Sequence, residues 1–573
     1  MKADNLQAKT VGEALLRLLA SRGIEHLFAN AGTDFAPIIE GWVRSDIFGV
    51  AVPKPVTAPH ENIAVNMALG HWMVSGKPQA VMVHVNVGTA NTVCGLLNAA
   101  GANAPILLMA GRTPITEVGT HGGRNIHIHW TQEMFDQAGL VREAVKWDYE
   151  LRTPAQLRTV IDRAISVATT GPAGPVYLTL PREILAAEAD TQSLLAPMRL
   201  VAATAPWPDL NALKETANLL AAAERPVIVT SSAGFETGAV AALSDFAHNF
   251  AIPVVQHVPR CLSISSQHPM HAGYDPTPWL RDADLVLVLE SAVPWIPERV
   301  QPNPGTKVIH VGVDPLQQRI PIRGFESDIA ITGAVGPTLR ALENHLRPFD
   351  EMLAYRIDAR RTKLASLRTE RQRKNTAALA EARQRTMISP AWITHCIEEA
   401  CGEDAILLRE APQFALPFLN RRHERTFYSV AAAGGLGWGL GAAIGAKLAA
   451  PDRLVAAVVG DGSYMFGTPV AAHYAALEQR TPFLTVIIDN QRWNEVGAAT
   501  RHLYPDGEAA GDPAREPLTY FDKSLRLEKT VSAVDGWSER VTHPAELPNA
   551  LARAVDVIRN EGRQAVLDVV CPE

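Results

Sequence analysis

Three features of the sequence predict an α/β protein of three domains, each a doubly wound parallel sheet. The chain has 573 residues, beyond the ~250–300 at which a single hydrophobic core stops growing. Short apolar runs alternate with amphipathic stretches along its whole length, the pattern of buried parallel strands joined by crossover helices. A loose stretch near Ala202–Asp209 and a strongly charged one from about Arg347 to Arg385 break this alternation. The expected domains are residues 1–187, 188–347 and 386–573, with 348–385 as a charged linker.

In the first domain, Val11 to Leu19 has apolar residues at helical spacing and Gly23 closes it. HLFAN around Phe28, AVMVHV from Ala80, PILLMAG from Pro105 and GPVYLTLPRE (Gly174–Glu183) read as buried strands. RPVIVTSSAG, PVVQHV, ADLVLVLES and KVIHVGVDP supply the second sheet. ARRTKLASLRTERQRKN, in the linker, predicts a solvated connecting helix. The third domain offers DAILL, RLVAAVVGD, PFLTVIID and AVLDVVC. No short-period repeat is visible.

Composition excludes several classes of function. Hydrophobic residues are 47% and charged residues 20%, as in packed globular proteins. A net charge of −7, from 53 basic and 60 acidic side chains, leaves no footprint for nucleic acid. Nor does any basic block suit a membrane surface. Five scattered cysteines (Cys94, Cys261, Cys396, Cys401, Cys571) lack CxxC or zinc spacing and read as thiols in a reducing compartment. MKADNLQAKTVGEALLRLLASRG does not follow the plan of a signal peptide, and no apolar run approaches ~18 residues. A cytoplasmic protein is expected.

RLVAAVVGDGSYMFG puts Gly460-Asp461-Gly462 at the end of an apolar strand, where doubly wound sheets bind ligands. Gly460 and Gly462 let the backbone approach a phosphate, and Asp461 offers a hard oxygen ligand. Asn490 closes PFLTVIIDN, 29 positions later, enough for one crossover helix and the neighbouring strand. Asp461, Asn490 and the backbone carbonyl of Arg492 suit Mg²⁺, which takes few protein oxygens and completes its shell with phosphate. The pattern resembles the GDG…NN signature of thiamine-diphosphate (ThDP) enzymes, with Asp489 in place of the usual first Asn.

PHENIAVNMALGHW places His60-Glu61 at the start of an apolar helix, with Ile63, Val65 and Met67 available to pack. By itself a first-turn Glu is more often a capping or helix-dipole partner. The block HENIAVNMALGHWMVSGKP, however, resembles the corresponding one of the benzoylformate decarboxylase, acetolactate synthase and pyruvate decarboxylase superfamily. Similarity continues through NVGTANTVCGLLNAAGANAPILLMAG, VKWDYEL, GPAGPVYLTLPRE and AAGGLGWGLGAAIGAKLA. The resemblance implies pyrimidine-binding, central and diphosphate-binding domains in that order. It makes Glu61 the acid that hydrogen-bonds the cofactor's aminopyrimidine and favours loss of the C2 proton, work best done away from water. It also implies a pyrimidine contact from the Gly434 carbonyl and a bent cofactor held by Leu436, which composition alone reads as a core leucine. Gln413 would approach the diphosphate and Ser463 donate to it. Active sites in this superfamily join the first domain of one subunit to the third of another, so a homodimer is the least assembly implied and a homotetramer is common.

The resemblance over the reactive carbon is to benzoylformate decarboxylase. His84 stands 23 positions after Glu61, as a catalytic histidine does there, suited to orient a 2-oxo acid carboxylate and move a proton. Thr33 falls where that family has a serine. Its second histidine is absent: SAVPWIPER puts Trp295 and Pro297 there. THGGRNIHIHW adds His121, His127 and His129; HxH without a third ligand is weak as a metal site, and His129 is taken as a pocket group. Arg112, in AGRTP, replaces the substrate-contacting Gln of acetolactate synthases and fits either an acid substrate or a salt bridge. The central domain lacks a specific FAD signature and reads as nucleotide-binding or architectural.

The expected activity is a ThDP- and Mg²⁺-dependent carbon–carbon lyase or carboligase. It would decarboxylate a 2-oxo acid and release an aldehyde or pass the activated unit to a carbonyl acceptor. Alternatives are an acetolactate synthase-type enzyme, a 2-hydroxyacyl-CoA lyase and a catalytically silent paralogue that binds cofactor. A nicotinamide dehydrogenase is disfavoured because no G-x-G-x-x-G follows the first strand.

Overall fold

The computed structural model describes residues 7–189, 198–429 and 432–572. It contains three parallel sheets. β1 (His26–Ala29), β2 (Lys54–Thr57), β3 (Gln79–Val83), β4 (Ile106–Arg112), β5 (Asp148–Glu150) and β6 (Val176–Pro181) lie in the order β2-β1-β3-β4-β6-β5. β7 (Pro226–Thr230), β8 (Val254–Gln256), β9 (Leu285–Leu289), β10 (Lys307–Gly312) and β11 (Ile329–Thr332) form β11-β10-β9-β7-β8. β12 (Ile406–Arg409), β13 (Phe427–Ser429), β14 (Val455–Gly460), β15 (Leu484–Asp489), β16 (Trp537–Val541) and β17 (Ala565–Val570) form β13-β12-β14-β15-β17-β16.

Successive residues of a strand face opposite sides of its sheet. In β7, Ile228 enters one buried cluster while Val227 and Val229 enter another, so this sheet has an apolar core on both faces. The runs singled out in the sequence correspond to the interior strands and to β8. β2, β5, β11, β13 and β16 were not singled out, and all five are edge strands.

The described residues pack as two compact units, one from Met1–Thr204, Ala431–Asp452 and Met465–Pro482, the other from Ala205–Val430, Arg453–Tyr464 and Phe483–Glu573. In the first unit, the Trp438–Ala449 helix lies directly on the Glu61–Ser75 helix. A Cβ on Gly70 would stand 2.0 Å from the Ala442 carbonyl oxygen, and one on Gly445 would stand 1.8 Å from that of Met67. Only glycine permits this backbone contact.

In the second unit, the linker is one helix, Asp350–Gln384, whose buried residues are Leu353, Leu364 and Ala382. Solvation is only part of its role. Arg356 Nη1 donates to the Ala221 and Ala222 carbonyls at 2.6 and 3.0 Å, and Arg371 Nη2 to that of His271 at 2.7 Å. The first contact satisfies carbonyls at the end of the Leu210–Ala222 helix, which have no intrahelical donors. All five cysteines are free thiols. No helix among the described residues is long and apolar enough to cross a membrane.

Candidate active site

Glu61 opens its helix, with His60 as the N-cap accepting from Asn62 N at 3.2 Å. The Glu61 side chain is 9% exposed. Its Oε2 accepts from Asn91 Nδ2 at 3.0 Å, a partner on the Val85–Gly101 helix that the sequence did not reveal. Asn62 Oδ1 accepts from Gly95 N at 2.8 Å and ties the same two helices.

His84 ends the loop after β3, and its Nδ1 lies 2.5 Å from Oδ1 of buried Asp34. Two glycines make room for the pair. A Cβ on Gly32 would stand 2.1 Å from His84 Nδ1, and one on Gly111 would stand 1.7 Å from Asp34 Oδ2. The Asp34 bond holds His84 above the usual imidazole range, against its burial, and the Asp34 and Glu61 charges add to the effect. Val85, next in the chain, has a φ of +32°, a strained backbone for a β-branched residue.

Thr33, Asp34, His84, Arg112, His129 and Arg182 border one small cavity at the carboxyl ends of β1, β3, β4 and β6. The structure thus brings together three sequence-predicted residues, Thr33, His84 and His129. It adds Asp34, which the sequence reading passed over. Burial, then the charges of Arg182 and Arg124, push His129 below the usual imidazole range. Arg182 steadies its loop by donating to the Gly122 and Gly123 carbonyls at 2.8 and 2.6 Å. His121 and His127 are exposed while His129 is buried, so the HxH pair makes no joint site. Arg112 is committed to Glu133, at 3.0 Å, and Glu150.

In the second unit, β14 and β15 are neighbours, with Gly460 opposite Ile488. Asp461 and Asn490 consequently follow the same edge of the sheet. Asp461 Oδ1 accepts from Gly462 N at 2.8 Å, while Oδ2 is buried with no hydrogen-bond partner among the described residues. Burial and the charge of Asp489 push the Asp461 carboxyl up to about 7. A cation at Oδ2 would relieve both penalties, so the donor set fits a hard metal ion. Asn490 Oδ1 accepts from Arg492 N at 3.2 Å, and the Arg492 carbonyl accepts from Asn494 N at 3.0 Å. Asp489, where the signature has Asn, is compensated by Arg540 at 3.0 Å, which also holds Asp568 at 2.5 Å. A Cβ on Gly460 would meet nothing within 4 Å. The clearance at Gly462 is taken by the Trp493 ring, which a Cβ would meet at 2.0 Å. Ser463 is buried in the Asp461–Phe466 helix, and Gln413 is half-buried after β12.

Three family descriptions match in chain order. They are the N-terminal TPP binding domain of thiamine pyrophosphate enzymes at residues 9–140, the central domain at 213–342 and the C-terminal TPP binding domain at 411–569. The chain belongs to the ThDP-dependent enzymes. Within them it falls in the benzoylformate decarboxylase, acetolactate synthase and pyruvate decarboxylase superfamily. It is 28% identical over 498 residues to benzoylformate decarboxylase of Pseudomonas aeruginosa, covering 84% of this chain and 86% of that one. It is 25% identical over 599 residues to the mitochondrial acetolactate synthase catalytic subunit of Aspergillus candidus, covering 96% and 80%. The fold matches Rhodococcus jostii RHA1 thiamine diphosphate-dependent 4-hydroxybenzoylformate decarboxylase with a TM-score of 0.78 at 22% identity, over 98% and 99% of the two chains.

For a ThDP enzyme the turn before the Trp438 helix is well shaped. Gly434 has a φ of +73°, and the Gly435 carbonyl accepts from Asn98 Nδ2 at 2.8 Å. Leu436 is 36% exposed and so is no core leucine. Trp295, where the family has its second histidine, is 3% exposed and packs edge-on to Phe325 in the central domain's core. The central sheet fits FAD poorly. The N-terminal amides of the Val335–Leu346 helix, natural donors to a diphosphate, are taken by Glu236, at 2.6 Å from Val335 N and 2.9 Å from Gly336 N. Glu290, which burial pushes up to about 7, accepts from Val313 N at the end of β10.

Proposed function

We propose that this enzyme decarboxylates a 2-oxo acid and either protonates the activated unit or passes it to a carbonyl acceptor. The carrying observation is His84, bonded to Asp34 in a cavity shared with Thr33 and His129. The Asp34 bond favours the protonated form of His84, which suits a substrate carboxylate, and the Thr33 hydroxyl suits its 2-oxo oxygen. ThDP, when bound, supplies the electron sink that makes loss of CO₂ feasible. Glu61 holds or gives up a proton at its carboxyl oxygens, screened from water by burial. Asp461, Asn490 and the Arg492 carbonyl would hold Mg²⁺ on the diphosphate, with Gly460, Ser463 and Gln413 beside it, while the Trp493 ring fills the space at Gly462. Gly434 and Leu436 meet the cofactor's rings. The bonds of Glu236 and Glu290 support an architectural role for the central sheet over FAD binding.

The likeness to benzoylformate decarboxylase favours decarboxylation over acetohydroxy acid synthesis, and the Arg112 ion pairs leave it poorly placed to bind an acid substrate. The superfamily likeness supports a homo-oligomer, a homodimer at least. The test supplies purified enzyme, Mg²⁺ and ThDP with benzoylformate or pyruvate, with and without an aldehyde acceptor, following CO₂ and acyloin separately. CO₂ release that falls sharply in His84→Ala supports the proposal. Absence of turnover with any 2-oxo acid, 2-hydroxy ketone or 2-hydroxyacyl thioester refutes it and favours a silent paralogue.

A further inference from the structure

We infer that Glu25, His26 and His71 form a second metal site, selective for a dication of the Zn²⁺ class. His26 opens β1 and Glu25 precedes it, at the end of the first sheet opposite Thr33 and His84. His71 lies on the Glu61 helix, ten residues on and so about 15 Å along its axis. One donor atom from each of the three residues falls within a span of 4.8 Å. Tetrahedral zinc with bonds of ~2.0–2.1 Å holds its ligand atoms about 3.3 Å apart, so modest side-chain rotation closes the set.

The surroundings are those of a ligand cluster. His71 Nδ1 lies 3.1 Å from Ser75 Oγ, which orients the ring and leaves Nε2 available. His26 Nδ1 is buried without a hydrogen-bond partner, a costly state that coordination would relieve. Two imidazoles and a carboxylate, with solvent as fourth ligand, suit Zn²⁺ and not Mg²⁺, which requires oxygen.

Packing alone accounts for part of the cluster, because both rings also touch Phe28. It does not account for the orphaned nitrogen or for the carboxylate beside it. Lys77 Nζ, 2.5 Å from Glu25 Oε1, already offers that carboxylate a positive charge. Its side chain is 56% exposed and free to withdraw into solvent when a dication arrives. Occupancy would pin the first strand to the helix that begins with Glu61.

The test titrates holoenzyme, saturated with Mg²⁺ and ThDP, with Co²⁺ as a visible-absorption probe and then displaces it with Zn²⁺. The parent protein should bind one equivalent of Co²⁺ with the intense bands of tetrahedral geometry. His26→Gln and His71→Gln should each abolish the bands. Lys77→Met, a surface change that leaves the fold intact, should tighten binding roughly two- to fivefold by removing an exposed ion-pair competitor. Identical spectra and stoichiometry in the parent and His26→Gln place the ion elsewhere and overturn the inference. Absence of binding in both the parent and Lys77→Met overturns it as well.

Discussion

Glu61→Gln separates chemistry from architecture at this site. The carboxylate is almost buried, and its Oε2 is held by Asn91 Nδ2 at 3.0 Å. Glutamine has the same shape, and its carbonyl oxygen still accepts that bond, so the cost to folding should stay within about 1 kcal/mol. Alanine would instead leave the Asn91 amide without its acceptor, at a cost of about 1–3 kcal/mol. What glutamine cannot do is exchange a proton. General acid–base catalysis is worth ~10²–10⁴ in rate, or about 2.7–5.4 kcal/mol. The cleanest assay needs no substrate: deuterium exchange at C2 of bound ThDP, quenched and read by NMR, with cofactor affinity measured by calorimetry. Exchange should slow by that factor while affinity changes little. Unchanged exchange at equal occupancy would refute the assignment of Glu61 as the activating acid.

Three further outcomes are expected. Asp461 stands at about 7, above its ordinary 3.8, so without metal it weakens the fold at alkaline pH and is relieved as pH falls through that value. Mg²⁺ with ThDP should therefore raise Tm more near pH 8 than near pH 6, and equal increments in calorimetric scans would contradict this. Asp34→Asn removes the chief cause of the raised His84 affinity for a proton, so the alkaline limb of kcat/KM should move to lower pH. A pH–rate profile with an unmoved limb would show that protonated His84 is not required. Leu436→Ala should weaken ThDP binding with little change in Tm, whereas a buried leucine would cost ~2–5 kcal/mol in denaturant unfolding.

The sequence made the buried centre of each sheet legible and left its margins obscure. Interior strands such as β4 and β14 are covered on both faces and read as unbroken apolar runs. Edge strands such as β2 and β11 keep exposed positions, and β13 has only three residues. The same limit applies to the site. Asp461 and Asn490 announce themselves by position at the ends of apolar strands, and Glu61 by the resemblance of the block it opens. Asp34 does not, because its meaning depends on His84, 50 residues away, and on the space left by Gly32 and Gly111. The charge that Asp489 adds to the signature is met by Arg540, on an edge strand the sequence did not reveal. The linker's charge predicted solvation correctly but hid the arginines that tie it to the central domain.

The glycine contact between the Glu61 and Trp438 helices carries one more consequence. Where two helices meet through side chains, drift in those side chains slowly shifts the spacing between them. Here main chain rests on main chain at Gly70 and Gly445, leaving no compressible layer to absorb change. The offset between Glu61 and the Gly434–Leu436 turn is thus set like a machined shoulder, indifferent to most mutation in the surrounding core. On the proposed reading, an enzyme built this way is free to change what it accepts around Thr33, His84 and His129 while the alignment of its proposed cofactor contacts stays the same.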